Sequence, residues 1–464
     1  MLFVREKAFY KSFFRMMFVI AMQNVVAYSV NLADTVMLGQ HSEMALAGVN
    51  ISNQVQFLLQ MLVAGAAEGI SVLASRSWGA KKFAPIHSLL AIGARIAIGI
   101  PLLVWAVSFF FPEWTLGLFS EDPVVIAEGV KYLQIVSFSY ICFGVSSVLL
   151  AMMRSVETVF LGFSITVSTL FVNIGLNYAL IGGHFGAPAL GIQGAAIATL
   201  AARIMETSIA FVYVFFVDKK IKLRFKDAVK LDWVQVKSWF SIGFPLICSN
   251  AIWAVAMGMQ TSILGHVDSL ALVASSVSNT IYQVVIVFAQ GSASASAVLI
   301  GKTIGAGHKE KVRSYAITMQ MVFLIVGVIS GLLLYIVRDF IVGFFALSEA
   351  AKELTLLFIT VQCVTIVGTS YQMPCLTGIV RGGGDTKFVL KNDTIFQWLI
   401  VLPISWLAAF KLNLAPVVVF ACLKSDQILK CFVAIVKVNR FKWIREFKNT
   451  SSSEKEEVKE EAKA

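Results

Sequence analysis

The chain has 464 residues, 58% of them hydrophobic and only 14% charged, with mean hydropathy +0.80 and a formal net charge of +11. Soluble domains are about 45–50% apolar and roughly 25% charged. This composition excludes a disordered chain, a nucleic-acid binder and an ordinary cytosolic enzyme, because the surplus apolar surface needs a solvent other than water.

Apolar runs of bilayer length predict twelve spans, at 12–38, 49–75, 88–111, 129–153, 159–181, 193–217, 238–264, 273–300, 314–337, 353–378, 388–410 and 416–437. Runs of this length without period-two alternation predict helices rather than barrel strands. The expected fold is therefore an all-α integral membrane protein. The connections are too short for a separate soluble domain.

The basic charge follows the spans. Arg5, Lys7, Lys11, Arg15, Arg76, Lys81, Lys82, Arg154 and the Lys/Arg-rich stretches at 219–237, 302–313, 381–391 and 437–448 lie on one side of the predicted membrane. The other side holds only Lys131, Arg338, Lys352 and Lys411. This asymmetry predicts cytoplasmic termini and reads the charge as a topology signal rather than a polyanion site. The six cysteines, Cys142, Cys248, Cys363, Cys375, Cys422 and Cys431, fall in spans without a C-x-x-C pair and read as packing residues. The N-terminus does not read as a cleavable signal. The tail 449–464 is polar, charged and expected to be disordered.

The chain repeats itself. TVMLGQHSEMALAGVNISNQ from Thr35 matches TSILGHVDSLALVASSVSNT from Thr261 at an offset of 226. Gly39/Gly265, Ala45/Ala271, Ser52/Ser278, Gly65/Gly291 and Gly79/Gly305 keep that register, and Arg154/Arg381 and Arg203/Lys430 recur at 227. Six spans per copy is an even number, so the copies enter the membrane in the same direction, as parallel repeats. The expected organisation is a six-helix lobe at 1–217, a basic cytoplasmic linker at 218–236, a second lobe at 237–448 and the tail. Two such lobes suit a transporter that binds its substrate in a cleft between them. No P-loop is present, so the chain alone is not an ATP-driven pump.

An ionisable group in a span costs about 2.5–3.5 kcal/mol at its centre, so each needs a reason. Asp34 lies among apolar residues toward the outer end of span 1, and its repeat mate is Gln260. Such a carboxylate can hold a proton or a cation. Asn173 and Asn177 in span 5 are spaced i, i+4 and share a face. Thr199 in span 6 adds a hydroxyl. Together these four make an oxygen-rich site for Na⁺ or a relay for H⁺, although asparagines also serve as helix–helix glue. Glu68, with no partner near in sequence, is a second candidate acid. Arg203 with Glu206, and Asp426 with Lys430, read as local ion pairs near the cytoplasmic ends. Gln54 and Met61 in span 2, with Trp253, Met257, Gln260, Tyr282 and Gln283 in spans 7 and 8, are candidate substrate contacts, since Met and aromatic surfaces repack around varied ligands. For any single one of them, a lipid-facing or packing role is the stronger reading. His41, His87, His184, His266 and His308 fall in loops without metal-ligand spacing and read as solvated.

LADTVMLG in span 1, the LG-x5-A elements after spans 1 and 7, GAAIAT in span 6, RGGGDTK after span 10, VLKNDTIFQWLIVLPISWL and SDQILK resemble the multidrug and toxic compound extrusion (MATE) transporters, in their order and spacing, across residues 10–445. The resemblance implies a twelve-helix antiporter of the multidrug/oligosaccharidyl-lipid/polysaccharide superfamily, exporting drugs or organic cations in exchange for H⁺ or Na⁺. It implies a bacterial inner-membrane monomer without an organic cofactor. In the branch with an acid in the first helix, the cation site matches Asp34, Asn173, Asn177 and Thr199. The family often has Asp where Asn177 stands, and a proline where Val19 stands, while Pro245 survives in the repeat. Trp253 and Ser370 stand where another branch has acids. Within the fold the alternative is a lipid-linked oligosaccharide or polysaccharide flippase, which would need a cationic cleft. From another class, the alternative is a channel or membrane receptor. No intramembrane catalytic dyad or H-E-x-x-H motif points to an enzyme.

Overall fold

The computed structural model describes residues 3–445 other than 230, 344 and 346. The tail 449–464, with Lys230 and Lys448, lies outside the described residues. Among the described residues all regular structure is helical. We number the spans α1 (Lys7–His41), α2 (Glu43–Gly79), α3 (Ala84–Phe110), α4 (Pro123–Val136 and Ser139–Ser155), α5 (Val159–Gly182), α6 (Ile192–Val217), α7 (Trp233–Val267), α8 (Ser269–Gly305), α9 (Lys309–Val342), α10 (Glu349–Val380), α11 (Thr386–Lys411) and α12 (Pro416–Leu423 and Asp426–Asn439).

Ten of these are single helices long and apolar enough to cross a bilayer. α4 is a pair bent by 52° at its break. α12 is interrupted at Lys424–Ser425, carries Lys424, Asp426 and Lys430, and is not among the ten single apolar helices. The solvent for which the helices are built shows on α9. Ile325, Ile329, Leu332, Leu333, Ile336 and Phe340 are all more than half exposed on it, whereas Phe323, Ser330 and Leu334 are buried. That arrangement is stable only where the surrounding medium is itself apolar.

The repeat is also visible in local geometry. Ser42 and Asp268, 226 positions apart, cap α2 and α8, accepting from the backbone N–H of Ala45 (3.3 Å) and Leu270 (2.9 Å). Both helices end at a residue in the left-handed region, Lys81 (φ 58°) and its mate Gly307 (φ 79°).

The chain divides into two compact units, residues 22–247 and residues 1–21 with 248–447. They share most residues with the halves drawn from the sequence, except that 1–21 and 237–247 each belong with the opposite half. Packing explains this. In the second unit Phe9 lies against Tyr315 (ring centroids 4.3 Å apart), Phe13 against Phe323 (6.2 Å), and the Val4 N–H donates to Thr318 Oγ1 at 3.1 Å. Lys311 Nζ lies 2.8 Å from Glu6 and holds that exposed carboxyl below the usual carboxylate range. In the first unit Trp239 Nε1 donates to the Ala66 carbonyl at 3.4 Å. Gly65 and Gly291, repeat mates, do the same work in the two units. A Cβ on Gly65 would lie 2.8 Å from the Ile247 backbone, and one on Gly291 2.5 Å from the Met17 carbonyl.

The linker is fastened rather than loose. Arg95 donates to the carbonyls of Ala228 (3.3 Å) and Val229 (3.1 Å), Lys220 to that of Val156 (3.0 Å), and the His87 ring meets Asp227 (3.0 Å) and the Ile221 carbonyl (3.0 Å). His87 therefore opens α3 as a clamp, and His184 stacks on Tyr178 (4.0 Å) instead of standing free in solvent.

The close approaches yield a prediction. Gly291→Ala forces backbone apart and should destabilise the protein by about 1–3 kcal/mol. Thermal unfolding of the purified protein should show a lower midpoint for G291A, whereas Gly99→Ala, where nothing lies within 4 Å, should not show that loss.

Candidate functional site

α5 is apolar along its length except for a few small polar residues and two amides, Asn173 and Asn177, which are 1% and 0% exposed. An amide at such a depth must find a partner. Asn177 Nδ2 donates to Asp34 Oδ1 on α1 and, at 3.1 Å, to Asn173 Oδ1 one turn earlier. The i, i+4 spacing places both amides on one helix face, and α1 brings the carboxylate to it across 143 positions of chain. Asp34, Asn173 and Asn177 are thus in one hydrogen-bonded group.

α6 packs on α5 and supplies the next shell. Asn177 Oδ1 is buried without a hydrogen-bond partner among the described residues, and the buried Thr199 hydroxyl has the Tyr132 hydroxyl as its hydrogen-bonding neighbour. Tyr132 of α4, 4% exposed, faces both the Thr199 hydroxyl and Asp34. Arg203, one turn beyond Thr199, lies within electrostatic reach of Asp34. Its own charge is met by Glu206 at 2.6 Å, and its guanidinium lies over the Phe143 ring at 5.1 Å. Glu206 Oε1 accepts in turn from Ser146 at 3.0 Å. The Arg203–Glu206 pair therefore ties α6 to α4 inside the bundle as well as bridging one helical turn.

What this group offers chemically is a set of oxygen acceptors. The Asp34 carboxylate, the spare Asn177 Oδ1 and the Thr199 hydroxyl are hard oxygen acceptors, of the kind that hold small hard cations or a proton. Each unpaired buried acceptor costs about 1–3 kcal/mol, a cost that a bound cation removes. Tyr132 escaped sequence reasoning because an isolated Tyr in an apolar span has no local signature. Arg203 was visible, but only as the partner of Glu206.

The remaining candidates fall in different settings. Glu68 on α2 is half-buried and faces the half-buried Arg154 at the end of α4, so it does not stand alone. Gln54 is exposed and Met61 half-buried on α2. In the second unit Trp253 and Gln283 are exposed and Met257 is half-buried. Gln260 and Tyr282 use their polar groups within that unit. Gln260 Nε2 donates to Gln397 at 3.0 Å, and the Tyr282 hydroxyl is 2.8 Å from that of Thr369.

Known proteins agree with this architecture. The chain is 26% identical to the probable multidrug resistance protein NorM of Thermotoga maritima over 390 residues, covering 83% of this chain and 82% of that one. It is 24% identical to the protein of the same name in Listeria monocytogenes over 435 residues, 93% and 94% of the two chains. Among solved structures, a MATE protein in complex with MaL6 superimposes with a TM-score of 0.85 at 16% identity, over 93% of this chain and 95% of that chain. The outward-facing conformation of a multidrug resistance MATE family transporter gives 0.85 at 15% over the same shares. The MatE family pattern matches residues 20–179 and 245–407, one segment in each half of the repeat. The chain therefore belongs to the MatE family.

Proposed function

We propose that the protein is a secondary active antiporter that exports drugs or other amphiphilic or cationic small molecules in exchange for H⁺ or Na⁺ by alternating access. Family membership and the multidrug-resistance names of similar bacterial proteins support the class. The coupling mechanism rests on one observation: a carboxylate, Asp34, is held by a buried amide pair whose Asn177 Oδ1 has no partner among the described residues, with the buried Thr199 hydroxyl on the neighbouring helix.

Asp34, Asn173, Asn177 and Thr199 form the coupling site in this reading, with Tyr132 and Arg203 at its border. Arg203 is neutralised by Glu206, so the carboxylate of Asp34 leaves one net negative charge in an apolar bundle. Uptake of one proton or one monovalent cation removes that charge. It also weakens the charge-assisted bond from Asn177, so the ion acts on the seating of α1 against α5. Differential affinity for the ion between two such seatings is what converts an ion gradient into a conformational bias. Substrate contacts are proposed at Gln54 and Met61 in the first unit and at Trp253, Met257, Gln260, Tyr282 and Gln283 in the second. The Lys/Arg asymmetry supports cytoplasmic termini in a bacterial inner membrane. The protein is taken to act as a monomer.

Asp34→Asn keeps the shape of the side chain and removes its charge. In proteoliposomes with an imposed H⁺ or Na⁺ gradient and a cationic dye, D34N should lower gradient-driven transport at least tenfold, which is about 1.4 kcal/mol. Transport at the wild-type rate would sink the assignment. Asn177→Asp places a second carboxylate beside the first. It should strengthen Na⁺ binding, read as a larger Na⁺-dependent rise in unfolding temperature than the wild type shows.

A further inference from the structure

The coupling site proposed above uses charge in the first unit only, yet the second unit buries more. Lys430 on α12 is 4% exposed, and Asp426, one turn before it, 1%. The Lys430 ammonium lies 3.2 Å from Asp426 Oδ2 and 3.1 Å from Asp393 Oδ1 on α11. One cation is thus shared by two carboxylates, a costly arrangement inside a membrane bundle unless further donors meet the excess charge.

The two acids are not alike. Asp426 also accepts from Gln397 at 3.1 Å and from Gln427 at 3.1 and 3.2 Å. Among the described residues Asp393 has, besides Lys430, the Ser249 hydroxyl of α7 at 2.8 Å. Its side chain keeps 19% of its exposure, against 1% for Asp426. Asp426 is therefore saturated and sealed, while Asp393 has fewer donors and stays partly exposed. Two other ionisable groups act on Asp426. Lys424 faces Asp426, with its ammonium over the Phe420 ring at 5.5 Å, and the Tyr282 hydroxyl faces the same carboxylate. On α11 itself Lys391 is exposed, and Asp385 at the start of the helix is paired with Lys437 (2.7 Å) and Arg445 (3.2 Å).

Two members of the polar network match first-unit site positions in the repeat. At the offset of 227 that relates Arg203 to Lys430, Thr199 corresponds to Asp426, and at 226 Asp34 corresponds to Gln260. Gln260 donates to Gln397, which donates to Asp426. Two of the four first-unit positions thus stay polar in the second, as Gln260 and Asp426, while Asn173 and Asn177 fall on apolar positions, and the matched carboxylate lies on the last helix of the repeat rather than the first. Through Ser249 and Gln260 the network grips α7 at two points about 16 Å apart along the helix.

We propose that the second unit holds its own proton-binding site at Asp393, framed by Lys430, Asp426 and Ser249, and that its protonation loosens the hold of α11 on α7. The proton adds to the Asp393 carboxylate. The Lys430 ammonium is then left to Asp426 as a neutral pair, and the Ser249 hydroxyl loses its charged acceptor. The occupant is a proton rather than Na⁺, because the ammonium already fills the space between the carboxylates and repels a second cation.

The test is infrared difference spectroscopy of the full-length protein in lipid vesicles, alkaline against acidic buffer, reading the protonated-carboxyl stretch. Asp393→Asn should remove one component of that band, distinct from any component removed by Asp34→Asn, and the double variant should lack both. If D34N/D393N gives the same spectrum as D34N, the proposal is overturned. If D34N changes nothing while D393N removes a component, the assignment of Asp34 fails and this one stands. Ser249→Ala keeps every charge and guards against misfolding of D393N. It should displace the pH midpoint of the Asp393 component alone, and an unmoved midpoint counts against the site.

Discussion

The cost of placing a charge or an unpaired polar group in an apolar bundle orders the whole structure. The helices expose Ile, Leu and Phe to their surroundings and keep the few polar side chains for contact with one another. Glu68 faces Arg154, Arg203 is held by Glu206, Lys430 lies between two aspartates, and Asp34 accepts from a buried amide. Each of these contacts joins or braces helices. The rare charges therefore specify which helices meet, while the abundant apolar residues provide the medium in which such specification is strong.

The duplicated frame shows what this constraint leaves free. Residues that set backbone geometry are matched in both copies: Ser42 with Asp268 as caps, Lys81 with Gly307 in the left-handed region, Gly65 with Gly291 at close helix contacts. Residues that fill the polar interior have diverged, with Asp34 against Gln260 and Thr199 against Asp426. Backbone close contacts leave no room for change. A polar cluster can exchange one acceptor for another if its charges still balance, so the two halves can differ in ion chemistry while keeping one architecture.

Much of the fold could be read before any coordinates. Apolar runs of bilayer length mark the helices, since a backbone in hydrocarbon must satisfy itself. The break in α12 was not legible, since 416–437 reads as one unbroken run. The amide pair of α5 was legible because i, i+4 spacing is a local property. Tyr132 and Asp393 were not. One is a lone phenol in an apolar run, the other a carboxylate whose partners, Ser249 and Lys430, lie 144 and 37 positions away. Nor could the sequence show that residues 1–21 pack with the second half and 237–247 with the first, because hydropathy and periodicity carry no information about which helix is a neighbour.

The sequence by itself determined the medium, the helical class, the doubling of a six-span unit and the handful of side chains too polar for their surroundings. These follow from composition, run length and self-similarity, all properties of the chain read along its own length. Tertiary structure alone decided how those polar side chains pair. Asp34 meets Asn177, Glu68 faces Arg154, and Lys430 reaches beyond its helical neighbour Asp426 to Asp393. The reason is physical: a buried charge takes its partner from whichever helix packing brings within about 3 Å, and that distance is set by the fold and not by separation along the chain.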